Sequence, residues 1–233
     1  MQWDSNWNFC MTLERIEDAK LQLAGSAFEF LQRSVRELPE STKYSVIHFA
    51  TAIELILKVR LMHEHWTLIV ENSDKAEVTQ FLTGKCKTVG IQQAINRLEK
   101  VCEIRIPAEA KDTFNKVSQH RNQMIHFFHE AGEEAAAEDE RRKVAIEQCT
   151  AWFYLQRLLR SWRDVFPEHA QIVSAVQYQM KHNQDYLGVA YAALAPELAA
   201  ARTAGTRFDT CSACGYDTAV ISEKSDEVSE HTC

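Results

Sequence analysis

The sequence predicts an all-α protein: an antiparallel bundle of four to five main helices followed by a small cysteine-containing C-terminal appendage. Three observations carry this expectation. Only 7 Gly and 4 Pro occur in 233 residues, so turn punctuation is sparse. Apolar residues recur at three- and four-residue spacing over long stretches, with no convincing period-two alternation. Beyond about residue 200 that periodicity stops, and three of the seven cysteines fall there. The chain therefore divides into a helical domain over residues 1–200 and a tail over 201–233.

The first helix is expected over about 11–38, ending at Leu38 because Pro39 disfavours helical geometry in the residue before it. The second starts behind a Ser41-Thr42 cap and runs to about Val70, with Val46, Phe49, Ile53, Ile56, Leu57 and Leu61 at helical spacing. Shorter helices fit 74–82 and 89–103, separated by the loop TGKCKTVG, which exposes Lys85 and Lys87. Pro107 opens a fourth main helix in its first turn, and that helix finishes near Gly132. The fifth begins around Glu134 and carries Cys149, Trp152, Leu155, Leu159, Trp162 and Phe166 on one stripe, which reads as core. Pro167 interrupts this pattern, and one or two further helices follow before Pro196.

With 45% hydrophobic and 25% charged residues, the chain is long enough to bury one substantial core. No run of about 18 uncharged apolar residues exists, and the start MQWDSNWNFC lacks the basic end and apolar centre of a secretion signal. No membrane partner is expected, and the expected location is the cytoplasm. Cys10, Cys86, Cys102 and Cys149 are scattered and read as reduced, mostly buried thiols.

A net charge of −7 argues against a nucleic-acid partner only if it is spread evenly. It is not. Residues 133–140, EEAAAEDE, hold five acids and no base; residues 201–233 hold six acids against three bases; the remainder carries +1. Residues 141–163 hold six Arg or Lys against one Glu, enough for a phosphate-facing surface. The ordinary alternative is a solvated helix face, because Glu138 and Asp139 precede Arg142 and Lys143 at pairing distance along a helix.

One stretch carries candidate chemistry: residues 119–129, QHRNQMIHFFH. On a helix each residue turns by about 100°, so Asn122 and His126, four apart, share a face. Arg121 lies one step round, with a side chain long enough to reach the same spot. His129, three after His126, lies within about 60° of it and is a supporting candidate, as is His120. The ordinary reading of such residues is a solvated face with an inter-helix hydrogen bond. A metal site from His126, His129 and Glu130 is a further alternative, although HExxH is absent and the spacing fits no common zinc pattern.

The pattern Arg121-Asn122-x-x-x-His126 resembles the R-x(4–6)-H signature of the HEPN superfamily, in the form where a polar Asn follows the Arg. The second helix, HFATAIELILKVRL, resembles the long apolar HEPN helix that carries an isolated acid, here Glu54. A carboxylate in that setting must be paired or lie along a polar edge, and Arg121 is the expected partner. The resemblance spans about residues 10–180 in architecture and is specific at the motif.

What the resemblance implies is a HEPN-like bundle acting as a metal-independent endoribonuclease, dimeric, with two motif helices facing each other across a basic cleft. RNA supplies its own nucleophile in the 2′-hydroxyl. His126 would serve as general acid or base, Arg121 would stabilise the phosphorane, and Asn122 would orient phosphate or ribose. Relatives act as toxins or antiviral-defence effectors with an antitoxin or regulatory protein partner, and some bind RNA, nucleotide or protein without cutting. One subgroup is regulated by modification of a tyrosine two residues after the histidine; Phe128 stands there in this chain.

In the tail, Cys211-Ser212-Ala213-Cys214-Gly215 has the form of a zinc knuckle, and Cys233 follows at the spacing of a third ribbon ligand. A fourth cysteine is missing; His231 could substitute, giving a Cys3His set, or the fourth cysteine would lie beyond residue 233. A redox pair is the alternative, without the βαβ setting such a pair uses.

Overall fold

The computed structural model describes the backbone of residues 4–126 and 134–221 and the side chains of residues 11–125 and 138–221. Among these, eight α-helices account for most of the chain, with one two-stranded sheet, so the all-α class holds at that level. Two compact units divide it, residues 1–176 and 177–233.

In the first unit, α1 (Asp4–Glu37) packs against α2 (Thr42–Glu64). α2 is the central rod, with α1, α4 (Ile91–Lys100), α5 (Ala108–His126) and α6 (Glu134–Ser161) all packed against it. Its composition explains this place: Val46, Phe49, Ile53, Ile56, Leu57 and Leu61 are buried, and they leave too little polar surface for a solvated face. Ser45 ties three helices together. Its hydroxyl donates to Ser34 O at 2.7 Å on α1, and the Gln148 amide of α6 donates to Ser45 Oγ at 2.7 Å. The six residues expected as a core stripe, from Cys149 to Phe166, are all buried.

Several boundaries differ from expectation for local reasons. α2 stops at Glu64, not Val70, because His65 turns extended (φ −164°, ψ 139°) and its ring accepts from Thr67 N at 3.3 Å, capping a short 3-10 turn over Trp66–Ile69. Ser41 occupies the cap position of α2 without a side-chain cap bond. The 74–82 segment is a 3-10 turn, Ser73–Lys75, followed by α3 (Val78–Leu82). Of the expected end of the fourth main helix, residues 127–132 lie outside the described residues.

α7 (Ala170–Met180) contains the division between the two compact units, at 176/177, and α8 (Gln184–Thr203) lies in the second. α8 runs through Pro196 instead of stopping before it, giving up one internal hydrogen bond. A hairpin of β1 (Phe208–Thr210) and β2 (Asp217–Val220) lies on it. Tyr216 stacks on Tyr191 at 4.5 Å, Arg202 lies over Phe208 at 5.4 Å, and the Tyr216 hydroxyl sits where a side chain at Gly188 would begin, 3.2 Å from a Cβ built there.

Cysteine burial is mixed. Cys149 is buried, whereas Cys86 and Cys102 are half-buried thiols in the connections around α4, contrary to the expectation of mostly buried. Among the described residues, no helix is long and apolar enough to cross a membrane.

Candidate functional site

The central helix carries Glu54 and Lys58 one turn apart, interleaved with the buried Ile53, Ile56, Leu57 and Val59. Lys58 Nζ donates to Glu54 Oε1 at 2.7 Å and to Thr88 Oγ1 at 2.9 Å. From α5, Arg121 Nη1 donates to the other carboxylate oxygen, Glu54 Oε2, at 3.1 Å. The guanidinium is braced a second time, because Nε and Nη2 both reach Asn122 Oδ1, at 3.3 and 3.2 Å. The result is a continuous polar chain, Thr88–Lys58–Glu54–Arg121–Asn122. Exposure rises along it: 7% for the Lys58 side chain, 20% for Glu54 and 24% for Arg121.

Charges in such surroundings lose hydration and persist only when paired and hydrogen-bonded. Each group here has such a partner. The guanidinium still has N–H donors beyond the three engaged, so its outward edge can meet an oxyanion.

The far end of the chain is anchored by backbone structure. Val70 and Thr88 form an isolated antiparallel bridge, with Val89 N donating to Ile69 O and Glu71 N to Lys87 O, each at 2.9 Å. Arg97 of α4 clamps the first strand of this bridge, donating to Leu68 O, Val70 O and Glu71 O at 2.6, 2.7 and 2.8 Å. Lys85 and Lys87 are exposed in the intervening loop, and Lys87 pairs with Glu71 at 2.9 Å.

The sequence-predicted residues fall into three groups. Arg121, Asn122 and Glu54 come together, and the Glu54–Arg121 pairing expected from the apolar setting of Glu54 is present. His120 points elsewhere, its Nε2 hydrogen-bonded to Glu147 Oε2 of α6. His126 is the last residue of α5 that the structure describes, and its side chain lies outside the described residues, as do His129, Glu130 and Phe128. Lys58 and Thr88 were missed. An E-x3-K spacing inside an apolar helix was the available signal for Lys58; nothing local marks Thr88.

The basic stretch after residue 140 is partly self-neutralised. Arg141 meets Glu138 at 2.6 Å and Lys143 approaches Glu140 at 3.8 Å. Arg157 lies over the Phe153 ring at 5.6 Å.

In the second unit the cysteine turn fits half of a metal site. Cys211 N donates to Tyr216 O and Gly215 N to Cys211 O, each at 2.8 Å, and Gly215 adopts φ +77°. The left-handed glycine closes one tight turn, so Cys211 and Cys214 leave it three residues apart in the manner of a knuckle. The Thr218 hydroxyl lies 3.4 Å from Cys214 Sγ, the kind of outer contact that metal-bound thiolates receive. Among the described residues no group of three or more His, Cys, Asp or Glu is arranged to hold a metal. His231 and Cys233 lie outside the described residues.

Compared with family models, curated proteins and solved structures, the chain matches none of them.

Proposed function

We propose that this chain is a metal-independent endoribonuclease of HEPN type. The observation that carries the reading is the bracing of Arg121 by Glu54 and Asn122 at the edge of α2, five residues before His126 on the same helix. A guanidinium pre-oriented by two partners, with donors to spare, suits the developing charge on a phosphorane without reorganising at the moment of reaction.

In this mechanism His126 moves protons, taking one from the 2′-hydroxyl or giving one to the leaving 5′-oxygen. The 2′-oxygen attacks phosphorus, the P–O5′ bond breaks, and the products are a 2′,3′-cyclic phosphate and a 5′-hydroxyl. Asn122 acts through Arg121 as its brace. Activity would be assembled in a homodimer. A toxin or antiviral-defence role with an antitoxin or regulatory partner accords with this chemistry. Zinc in the tail, held by Cys211, Cys214, Cys233 and His231, would be structural, fixing the hairpin.

The test is cleavage of total RNA in the presence of chelator by the wild type, Arg121→Ala and His126→Ala, with dimerisation checked in parallel. Cutting by the wild type alone supports the reading; equal cutting by either variant rejects it. The second reading, a non-catalytic HEPN adaptor binding RNA, nucleotide or protein, is favoured by one observation: Arg121 is already engaged by two protein groups. RNA bound but never cut would select it.

A further inference from the structure

We propose that Lys58 is a positioning residue for anion binding: it neutralises Glu54 from inside, so that the charge of Arg121 remains available to a phosphodiester. The inference rests on the reading of Arg121 as a phosphate-binding group and names what makes that role possible. Glu54 receives one cation on each carboxylate oxygen, Lys58 Nζ on Oε1 at 2.7 Å and Arg121 Nη1 on Oε2 at 3.1 Å.

Were Arg121 the sole partner, the pair would be neutral, and an approaching phosphate would meet an attraction and a repulsion of similar size. With Lys58 the cluster carries two positive charges and one negative. The surplus sits on the outer side, because the Lys58 side chain is 7% exposed and that of Arg121 24%. A buried ammonium is expensive to keep unless it is paired and hydrogen-bonded, and the two groups that meet this one are Glu54 and Thr88. Thr88 supplies a second acceptor at 2.9 Å and, through its backbone bridge to Val70, fixes where the ammonium rests. Glu54 therefore does two things at once: it aims the guanidinium and is prevented from cancelling it.

The experiment reads binding separately from cleavage. The probe is a fluorescein-labelled oligoribonucleotide with 2′-O-methyl riboses, which present phosphodiesters but no nucleophile, titrated into the full chain by anisotropy at low salt. Lys58→Met, close in volume to lysine, should weaken probe binding about tenfold. Adding Glu54→Gln to it restores the surplus charge, and the double variant should return to within about threefold of the wild type. Glu54→Gln alone should bind the probe at least as tightly as the wild type while any cleavage of ordinary RNA falls, since charge is retained and aim is lost. That single variant also keeps the proposal falsifiable should Lys58→Met fail to fold.

A merely structural lysine would not be rescued by removing a carboxylate. Unchanged binding by Lys58→Met, a double variant no better than Lys58→Met, a Glu54→Gln that binds more weakly than the wild type, or a wild type that does not bind the probe overturns the inference. A wild type that binds the probe but cuts no RNA rejects the nuclease reading and leaves this one standing.

Discussion

Arg121 and Glu54 are 67 positions apart in sequence, yet Arg121 Nη1 lies 3.1 Å from Glu54 Oε2, joining α5 to the central helix. Because Glu54 also holds Lys58, removing the arginine does not strand an uncompensated carboxylate. Arg121→Ala should therefore cost only about 1 kcal/mol of stability, a fall in Tm of about 2–4 °C for a unit of this size. RNA cleavage should drop by about a hundredfold or more, the scale of losing a donor aimed at developing negative charge. Arg121→Lys should keep the stability and recover little of the activity, since an ammonium cannot span Asn122, Glu54 and a phosphate at once. Calorimetry and a gel-based cleavage assay read the two effects independently.

Arg97→Met is expected to be the more damaging change to the fold. Three carbonyls, Leu68 O, Val70 O and Glu71 O, depend on its guanidinium, and no hydrophobic side chain can replace those donors. A loss of about 3 kcal/mol follows from removing several charge-assisted bonds to partly buried acceptors, which corresponds to a Tm lower by about 6–12 °C. Since the same segment holds Thr88 through its bridge to Val70, limited proteolysis should open the 66–90 region first.

How far the sequence reveals this arrangement depends on which interactions are periodic. The stripe from Cys149 to Phe166 is legible because it recurs at helical spacing, and every member is buried, although α6 ends at Ser161 and Trp162 and Phe166 lie beyond it. The end of α2 is not, because apolar residues continue past Glu64 while His65 leaves the helix to cap the next turn. The hairpin on α8 escapes notice because β1 is only three residues long, too short for alternation to register. Glu54 could be flagged as an acid among aliphatics, and its partner named. Lys58 offered only its E-x3-K spacing to Glu54, a pattern ordinarily read as a solvated helix pair, and its partner Thr88 lies thirty residues away.

His169 makes stability depend on pH. Its ring stacks on Phe28 at 4.4 Å and 17°, and its Nδ1 is buried without a hydrogen-bond partner. Burial holds its pKa below the usual histidine value, only partly opposed by the neighbouring Glu168. A depressed folded pKa means the unfolded chain binds more protons across the interval between the two values. The stabilising contribution is therefore complete above the unfolded pKa, about 6.5, and is lost as pH falls through the lower folded value. His169→Phe, which keeps the stack, should flatten that part of the stability curve. Urea unfolding from pH 7.5 down to 5 measures it, and an unchanged slope in the variant would contradict the assignment.

The cysteine turn yields a prediction about metal content rather than activity. Protein purified without chelator should carry about one zinc per chain, and Cys211→Ser or Cys214→Ser should remove it. Gly215→Ala tests the turn itself: at φ +77° an alanine is strained by about 1–2 kcal/mol, so zinc should be held more weakly although every ligand remains. His231→Ala and Cys233→Ala identify the rest of the ligand set, each expected to weaken binding without the complete loss seen for the knuckle cysteines. Cobalt substitution gives an absorption band whose intensity follows the number of thiolates, so removing one should dim it visibly. Since the zinc role assigned here is structural, stripping the metal should loosen the hairpin against Tyr191 and Gly188 while leaving RNA cleavage by Arg121 and His126 within about twofold. A cleavage rate that collapsed with zinc removal would mean that the metal acts in catalysis, contrary to the mechanism proposed for this chain.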